Sequence, residues 1–210
     1  MQITQSLGEK FTAVLVGASI LCLGVGSTTA AASTFEVSAS SVVASPVTKL
    51  KQGDFIGKLY VPRYGKKYLR TILEGTAMSI LNNKAGLGHY VETQLPGQEG
   101  NFAIAGHRAG NGGPMLKIDK LKKGDLAFVQ TKTSWFSYRY LATKVVKPSN
   151  VGVIYPVPVG LAGSAVGGHY MTFTSCTPVH VNTNRIAAWF EFVEETPVAD
   201  GMPAALKATR

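Results

Sequence analysis

At 210 residues, 45% of them apolar, the chain is long enough for one packed domain with extensions. Its formal net charge of +9 at pH 7 calls for an acidic environment or partner. No nucleic-acid motif and no Lys/Arg stripe with interleaved aromatics occurs, which argues against nucleic acid; anionic lipid head groups or an anionic cell-wall polymer fit the charge.

Residues 1–10 are polar, end in Lys10 and read as a cytoplasmic N-terminus. From Phe11 to about Ala32 the chain carries no charge and is long enough to span a bilayer. A cleaved signal peptide competes with that reading, because Ala30-Ala31-Ala32-Ser33 has the small residues of a cleavage site. Cys22 lies inside this stretch, and Leu21 before it is too large for a lipoprotein cleavage site, so Cys22 reads as a small apolar residue in lipid. Either way the rest of the chain is expected to be exported. Lys10 and the N-terminal amine favour the inside, and no cation follows until Lys49. The expectation adopted is a retained signal anchor over 11–32. A Ser/Ala/Val/Thr-rich linker over 33–52 follows it.

The composition changes at Asp54, and a domain is predicted over 53–195. Short β-rich segments separated by Gly, Pro and Asn predict strands at Phe55–Val61, Tyr68–Leu73, Asn101–Ala105, Leu126–Thr131, Trp135–Val146, Tyr170–Ser175 and Arg185–Val193. That pattern predicts an all-β sandwich or barrel. Helical pieces are predicted at Thr76–Lys84 and Pro114–Leu121, the second with Pro in its first turn. The Gly- and Pro-rich stretch 147–168 reads as a long functional loop. Residues 196–210, with Pro197, Gly201 and Pro203, read as a frayed tail.

The chemistry gathers between Tyr170 and Trp189. A strand through Met171, Thr172, Phe173 and Thr174 runs into Cys176, and Pro178 ends it. Asn182, Thr183 and Asn184 form a loop. Ile186, Ala188, Phe190 and Phe192 then alternate as one buried strand face, with Arg185 on the other parity. Paired across the loop, these strands bring a thiol and a guanidinium together, and a thiolate near neutral pH needs such a positive neighbour. Since Cys22 lies in the apolar leader, Cys176 has no disulfide partner in an exported domain. Among the histidines, His107 stands at a strand end before the loop Gly110–Gly113, a good place for chemistry. His180 is close to Cys176 in sequence and rivals it as the base. His89 reads as a structural loop residue, and His169 as a residue before the cysteine strand that faces solvent.

Three motifs in order resemble those of the sortase family. They are Leu95-Pro96-Gly97 with Gly100-Asn101-Phe102-Ala103-Ile104-Ala105-Gly106-His107-Arg108, then Thr172-Phe173-Thr174-Ser175-Cys176-Thr177-Pro178, then Arg185. The contexts Cys-Thr-Pro and Gly-His-Arg are most similar to class E sortases of actinobacteria. The resemblance implies a closed eight-stranded β-barrel with short helices. It also implies a cysteine transpeptidase that cleaves a Leu-x-x-Thr-Gly-type sorting signal between Thr and Gly and joins the Thr carboxyl to a cell-wall amine. By motif position Cys176 corresponds to the nucleophile, His107 to the acid/base and Arg185 to the oxyanion arginine. Thr174, Ser175 and Arg108 are expected to bind substrate, and the 147–168 loop to wall the groove. No metal or other cofactor is implied. The implied partners are sorting-signal peptides, a wall-precursor amine and the membrane, with the domain facing the wall of a Gram-positive cell. Phe173 and Ser175 depart from the usual Leu and Thr but keep the residue type. Ala109-Gly110-Asn111-Gly112 lacks the aromatic common in that loop. Two other readings compete. A non-enzymatic basic wall-binding domain would leave Cys176 inert. An L,D-transpeptidase would carry Ser-x-Gly-Cys, and no glycine stands before Cys176 here.

Overall fold

Eight strands close into one barrel in the computed structural model, which describes residues 49–83 and 86–210. The expected cytoplasmic segment 1–10, span 11–32 and most of the linker 33–52 lie outside the described residues. In chain order the strands are β1 (Phe55–Tyr60), β2 (Leu69–Glu74), β3 (Leu87–His89), β4 (Gly100–Gly106), β5 (Leu126–Gln130), β6 (Ser134–Val146), β7 (His169–Thr177) and β8 (Asn184–Pro197). Around the barrel the order is β1-β2-β3-β4-β7-β8-β6-β5. The expected all-β, closed eight-stranded fold is the observed one.

The pairings fix which loops share an end. β2 with β3 and β4 with β7 are parallel; every other neighbouring pair is antiparallel. Consequently the turn after β1, the connection leaving β4, the start of β5, the end of β7 and the start of β8 open at one end. The β3–β4 and β5–β6 connections and the end of β8 lie at the other.

Alternation along the strands fills the interior. Phe102 and Ile104 of β4, Met171 and Phe173 of β7, and Ile186, Ala188 and Phe190 of β8 belong to one central cluster, all at 4% exposure or less. The outer face of the same region is buried as well. Ala187 and Trp189 of β8 and Tyr170 of β7 pack with Val153 and Leu161, and the Trp189 Nε1–H donates to the Val153 carbonyl at 3.0 Å. The stretch 147–168 is therefore a cover laid on the outside of β6, β7 and β8. Burying β7 and β8 on both faces demands such a cover.

Four sequence expectations change. β3 was read as loop: Gly88 and His89 have low strand propensity, and pairing on both sides, with β2 and β4, makes this a strand. The helix expected at Thr76–Lys84 reduces to α1 (Met78–Leu81). The helix expected at Pro114–Leu121 is a single 3-10 turn, Ile118–Lys120. Its buried residues Met115, Ile118 and Leu121 recur every third position, which suits a helix of three residues per turn. The tail is not frayed. The Val198 N–H donates to the Thr133 carbonyl at 2.8 Å, and α2 (Ala204–Lys207) presents Leu206, 2% exposed, to Tyr60, Phe128 and Trp135. Residues Val47–Arg210 thus form a compact unit with its own core.

Candidate active site

Three adjacent strands, β4, β7 and β8, build the site on the outer face of the barrel. In β4 the inward residues are Phe102 and Ile104, so Ala105 and then His107, just past the strand end, point outward. In β7 inward Phe173 and Ser175 leave Thr174 and Cys176 outward. In β8 inward Ile186 leaves Arg185 outward. Register completes the arrangement: Ala105 lies beside Thr174, and Cys176 lies directly opposite Arg185. Opposed residues of an antiparallel pair hold their Cβ atoms roughly 5 Å apart.

Gly106 lets β4 end tightly enough for this. A Cβ there would come 2.7 Å from Leu87 Cδ2 and 3.2 Å from the Gly86 carbonyl oxygen. The Ser175 hydroxyl then donates to the Gly106 carbonyl at 2.7 Å, tying the cysteine strand to the histidine strand one residue before each reactive group.

A cavity of about 280 Å³ lies over these residues, lined by Ala105, Gly106, His107, Thr174, Ser175, Cys176 and Arg185. Thr76, Met78, Leu81 and Tyr90 close its other side. Cys176 is free and half-buried. One nitrogen of Arg185, Nη1, donates to the carbonyls of Asn182 at 3.2 Å and Asn184 at 3.0 Å. The loop before β8 thereby aims the guanidinium while its other donors are left over. His107 Nε2 donates to Asn82 Oδ1 at 2.9 Å, and Asn111 Nδ2 donates to the same oxygen at 2.9 Å. Two donors on one oxygen fix the Asn82 amide and put the Nε2 proton on that side, leaving Nδ1 for other work. Among the described residues no hydrogen bond links Cys176 to His107 or Arg185; catalytic hydrogen bonds are often long before substrate arrives.

The sequence-predicted residues divide clearly. Cys176, His107, Arg185, Thr174 and Ser175 come together. Arg108 does not: alternation turns it away from His107, and it is 4% exposed, donating from Nε to the Leu116 carbonyl at 3.1 Å and pairing with Asp119 at 2.9 Å. It holds the loop after β4 instead of facing the cavity. His180 is exposed with φ 67° and does not line the cavity. His169 is half-buried, its Nδ1 donating to the Gly97 carbonyl at 2.8 Å. No residue of 147–168 lines the cavity either, so that stretch is not a groove wall there.

Sequence reasoning missed Asn82, Tyr90 and the support behind Tyr90. The Tyr90 hydroxyl shares a hydrogen bond with Thr174 Oγ1 at 2.9 Å. Behind it, His89 Nδ1 meets Glu74 Oε2 at 2.9 Å, with both side chains at most 3% exposed. His89 Nε2 donates to the Gln94 carbonyl and Thr93 Oγ1, each at 3.0 Å. The run Gly88-His89-Tyr90 was the available signal: a histidine before an aromatic, both oriented by strand pairing.

A closed eight-stranded barrel thus carries a cysteine, a histidine and an arginine on adjacent strand ends around one cavity. The sortase-domain family model matches residues 59–193, and the chain belongs to the sortase family. Among curated relatives, sortase SrtE1 of Streptomyces coelicolor is 38% identical over 141 residues, 64% of this chain and 40% of that protein. Sortase SrtE2 of the same organism is 37% identical over 152 residues, 70% of this chain and 58% of that protein. The chain therefore spans about half the length of these relatives. The solved sortase E from Streptomyces avermitilis superposes with a TM-score of 0.68 at 38% identity, covering 74% of this chain and 99% of that one. Sortase E1 from S. coelicolor, solved with a tripeptide in its active site, gives 0.68 at 34% identity with the same coverage.

Proposed function

We propose that this protein is a cysteine transpeptidase that cleaves a Leu-x-x-Thr-Gly-type signal between Thr and Gly and transfers the Thr carboxyl to a cell-wall amine. The observation that carries the reading is the shared outer face: Cys176 opposite Arg185 in register, with His107 on the neighbouring strand end, all lining one cavity. Membership of the sortase family supports the same chemistry.

The Cys176 thiolate attacks the Thr carbonyl carbon, and the carbonyl π pair moves onto oxygen. Arg185, aimed by the carbonyls of Asn182 and Asn184, donates to that oxyanion from the nitrogens they leave free. The oxyanion collapses, the C–N bond breaks, and protonated His107 gives its Nδ1 proton to the departing glycine amine. A thioester on Cys176 remains. The incoming amine attacks it, neutral His107 takes the amine proton, and Cys176 leaves as thiolate, so protons and charge return to the start. Through both halves Asn82 holds the Nε2–H and keeps Nδ1 directed at the reacting atoms. Thr174, on the same face as Cys176, belongs to the peptide-facing wall, and Ser175, turned inward, holds that wall to β4 through the Gly106 carbonyl. The same reading puts the domain outside the cell membrane, facing the wall and tethered by 11–32.

Incubation with Leu-Pro-x-Thr-Gly and Leu-Ala-x-Thr-Gly peptides followed by mass spectrometry tests the chemistry. An acyl adduct on Cys176 is expected, and its yield ranks the signals. No adduct with either peptide, with Cys176 still alkylatable, would favour the binding-domain reading. N-terminal sequencing of the protein from native membranes tests the tether; a mature chain beginning at Ser33 would overturn it.

A further inference from the structure

We infer that the barrel end carrying Cys176 docks on an anionic phospholipid surface. The inference rests on charge and topology and stands apart from the proposed reaction. The loops sharing the catalytic end carry Lys66 and Lys67 after β1, and Lys117, Lys122 and Lys123 between β4 and β5, all exposed. Arg210 joins them, its guanidinium carbon 5.1 Å from the Tyr60 ring centroid at the end of β1. In these loops the acids among the described residues are Asp119 and Asp125, and both are already matched. Asp119 pairs with Arg108 at 2.9 Å and with Lys120 at 3.5 Å, and Asp125 with Arg63 at 2.6 Å. The opposite end mixes both signs, with exposed Glu92 and Glu99 before β4 and Glu194 and Glu195 near the end of β8 among the exposed Lys49, Lys51 and Lys132.

The form of the surface selects the partner. The cations stand on separate loops around a rim, Lys66 and Lys67 after β1 and Lys122 and Lys123 before β5, so they match a sheet of charge better than one threaded strand. Exposed leucines lie among them: Leu69 beside Lys67 at 40% exposure, and Leu116 beside Lys117 at 48%. A cleft of about 430 Å³ is lined by Lys66, Lys67, Leu69 and Arg210. That combination takes a phosphodiester head group with the first methylenes of its chains against the leucine. A soluble polyanion uses the charges and leaves the leucines in water.

The test uses the Val47–Arg210 unit, which has its own core. Phosphatidylglycerol vesicles, phosphatidylcholine vesicles and soluble poly(glycerol phosphate), at matched phosphate, are titrated into three proteins. These are the unaltered unit, Lys66→Gln/Lys67→Gln/Lys123→Gln at the catalytic end, and Lys49→Gln/Lys51→Gln/Lys132→Gln at the other end, which changes net charge equally. Each cation near an anionic surface is worth roughly fivefold in binding, so the first triple should bind phosphatidylglycerol on the order of a hundredfold more weakly. The second triple should bind almost as the unaltered unit does, and phosphatidylcholine should bind none of them. Equal losses in both triples would reduce the effect to net charge and overturn the inference. Tighter binding to the soluble polymer than to phosphatidylglycerol vesicles would overturn it in favour of a wall polymer. Peptide acylation measured without vesicles should be the same in all three proteins. If even the unaltered unit fails to acylate, the proposed reaction fails while the vesicle result stands.

Discussion

Cys176 and Arg185 are cross-strand partners, and the arginine is aimed by the loop that joins their strands. This separates charge from geometry. A lysine at 185 keeps the positive charge and loses the planar fork of donors. Losing one oxyanion donor costs roughly 10²–10³ in rate. Arg185→Lys and Arg185→Ala should therefore both lower the acylation rate by roughly that factor. Alkylation of Cys176 by a small neutral reagent, which forms no oxyanion, should change much less. Near-normal acylation by the lysine variant would reduce Arg185 to a point charge.

His107 depends on Asn82. His107→Ala should abolish acyl transfer, and His180→Ala, altering an exposed residue outside the cavity, should leave most of it. Asn82→Ala frees the imidazole to rotate, and misplacing a catalytic group by about 1 Å costs on the order of a hundredfold. A fall of about tenfold to a hundredfold in acylation rate is expected, with peptide binding little changed. Single-turnover kinetics against binding by fluorescence separates the two. Full activity in Asn82→Ala would remove this residue from the mechanism.

Glu74 and His89 form a buried pair behind Tyr90, and Glu74 Oε1 has no hydrogen-bond partner of its own. Removing one member leaves the other buried and uncompensated, which costs about 3–5 kcal/mol. Glu74→Ala and His89→Ala should each lower stability by about that amount, and the double variant by clearly less than the sum. Urea unfolding of the four proteins measures the coupling. Strict additivity would mean the pair contributes nothing as a pair.

The C-terminal segment holds the barrel wall. Leu206 covers Tyr60, Phe128 and Trp135, so Leu206→Ala should cost about 2 kcal/mol, near the low end for a buried leucine because a surface layer relaxes easily. For a domain of this size that is a fall in Tm of about 4–8 °C. An unchanged Tm would restore the frayed-tail reading.

Strand identity was legible wherever one face met the core in strict alternation. The run Ile186, Ala188, Phe190 announced β8, its partner strand and the parity of Arg185. β3 was illegible because its three residues owe their conformation to β2 and β4, which are distant in sequence. That Cys176, His107 and Arg185 would share one cavity was legible from motif context. Asn82 was not, because it meets His107 only through the fold. Arg108 was misjudged because adjacency in sequence to His107 puts it on the opposite side of an extended chain. The stretch 147–168 was legible as a loop but not as a cover on β6, β7 and β8, since Gly and Pro do not say which surface a loop lies on.

Alternation on β4, β7 and β8 has a consequence for variation. At the Cys176 end of these strands the core takes one parity and the cavity the other, so positions such as Ala105, and Met78 on the facing side, line the cavity without belonging to the cluster of Phe102, Ile104, Phe173 and Ile186. If the proposed transpeptidation holds, selection for a different peptide, in nature or in a library, can explore one surface of these strand ends while the interior is inherited unchanged.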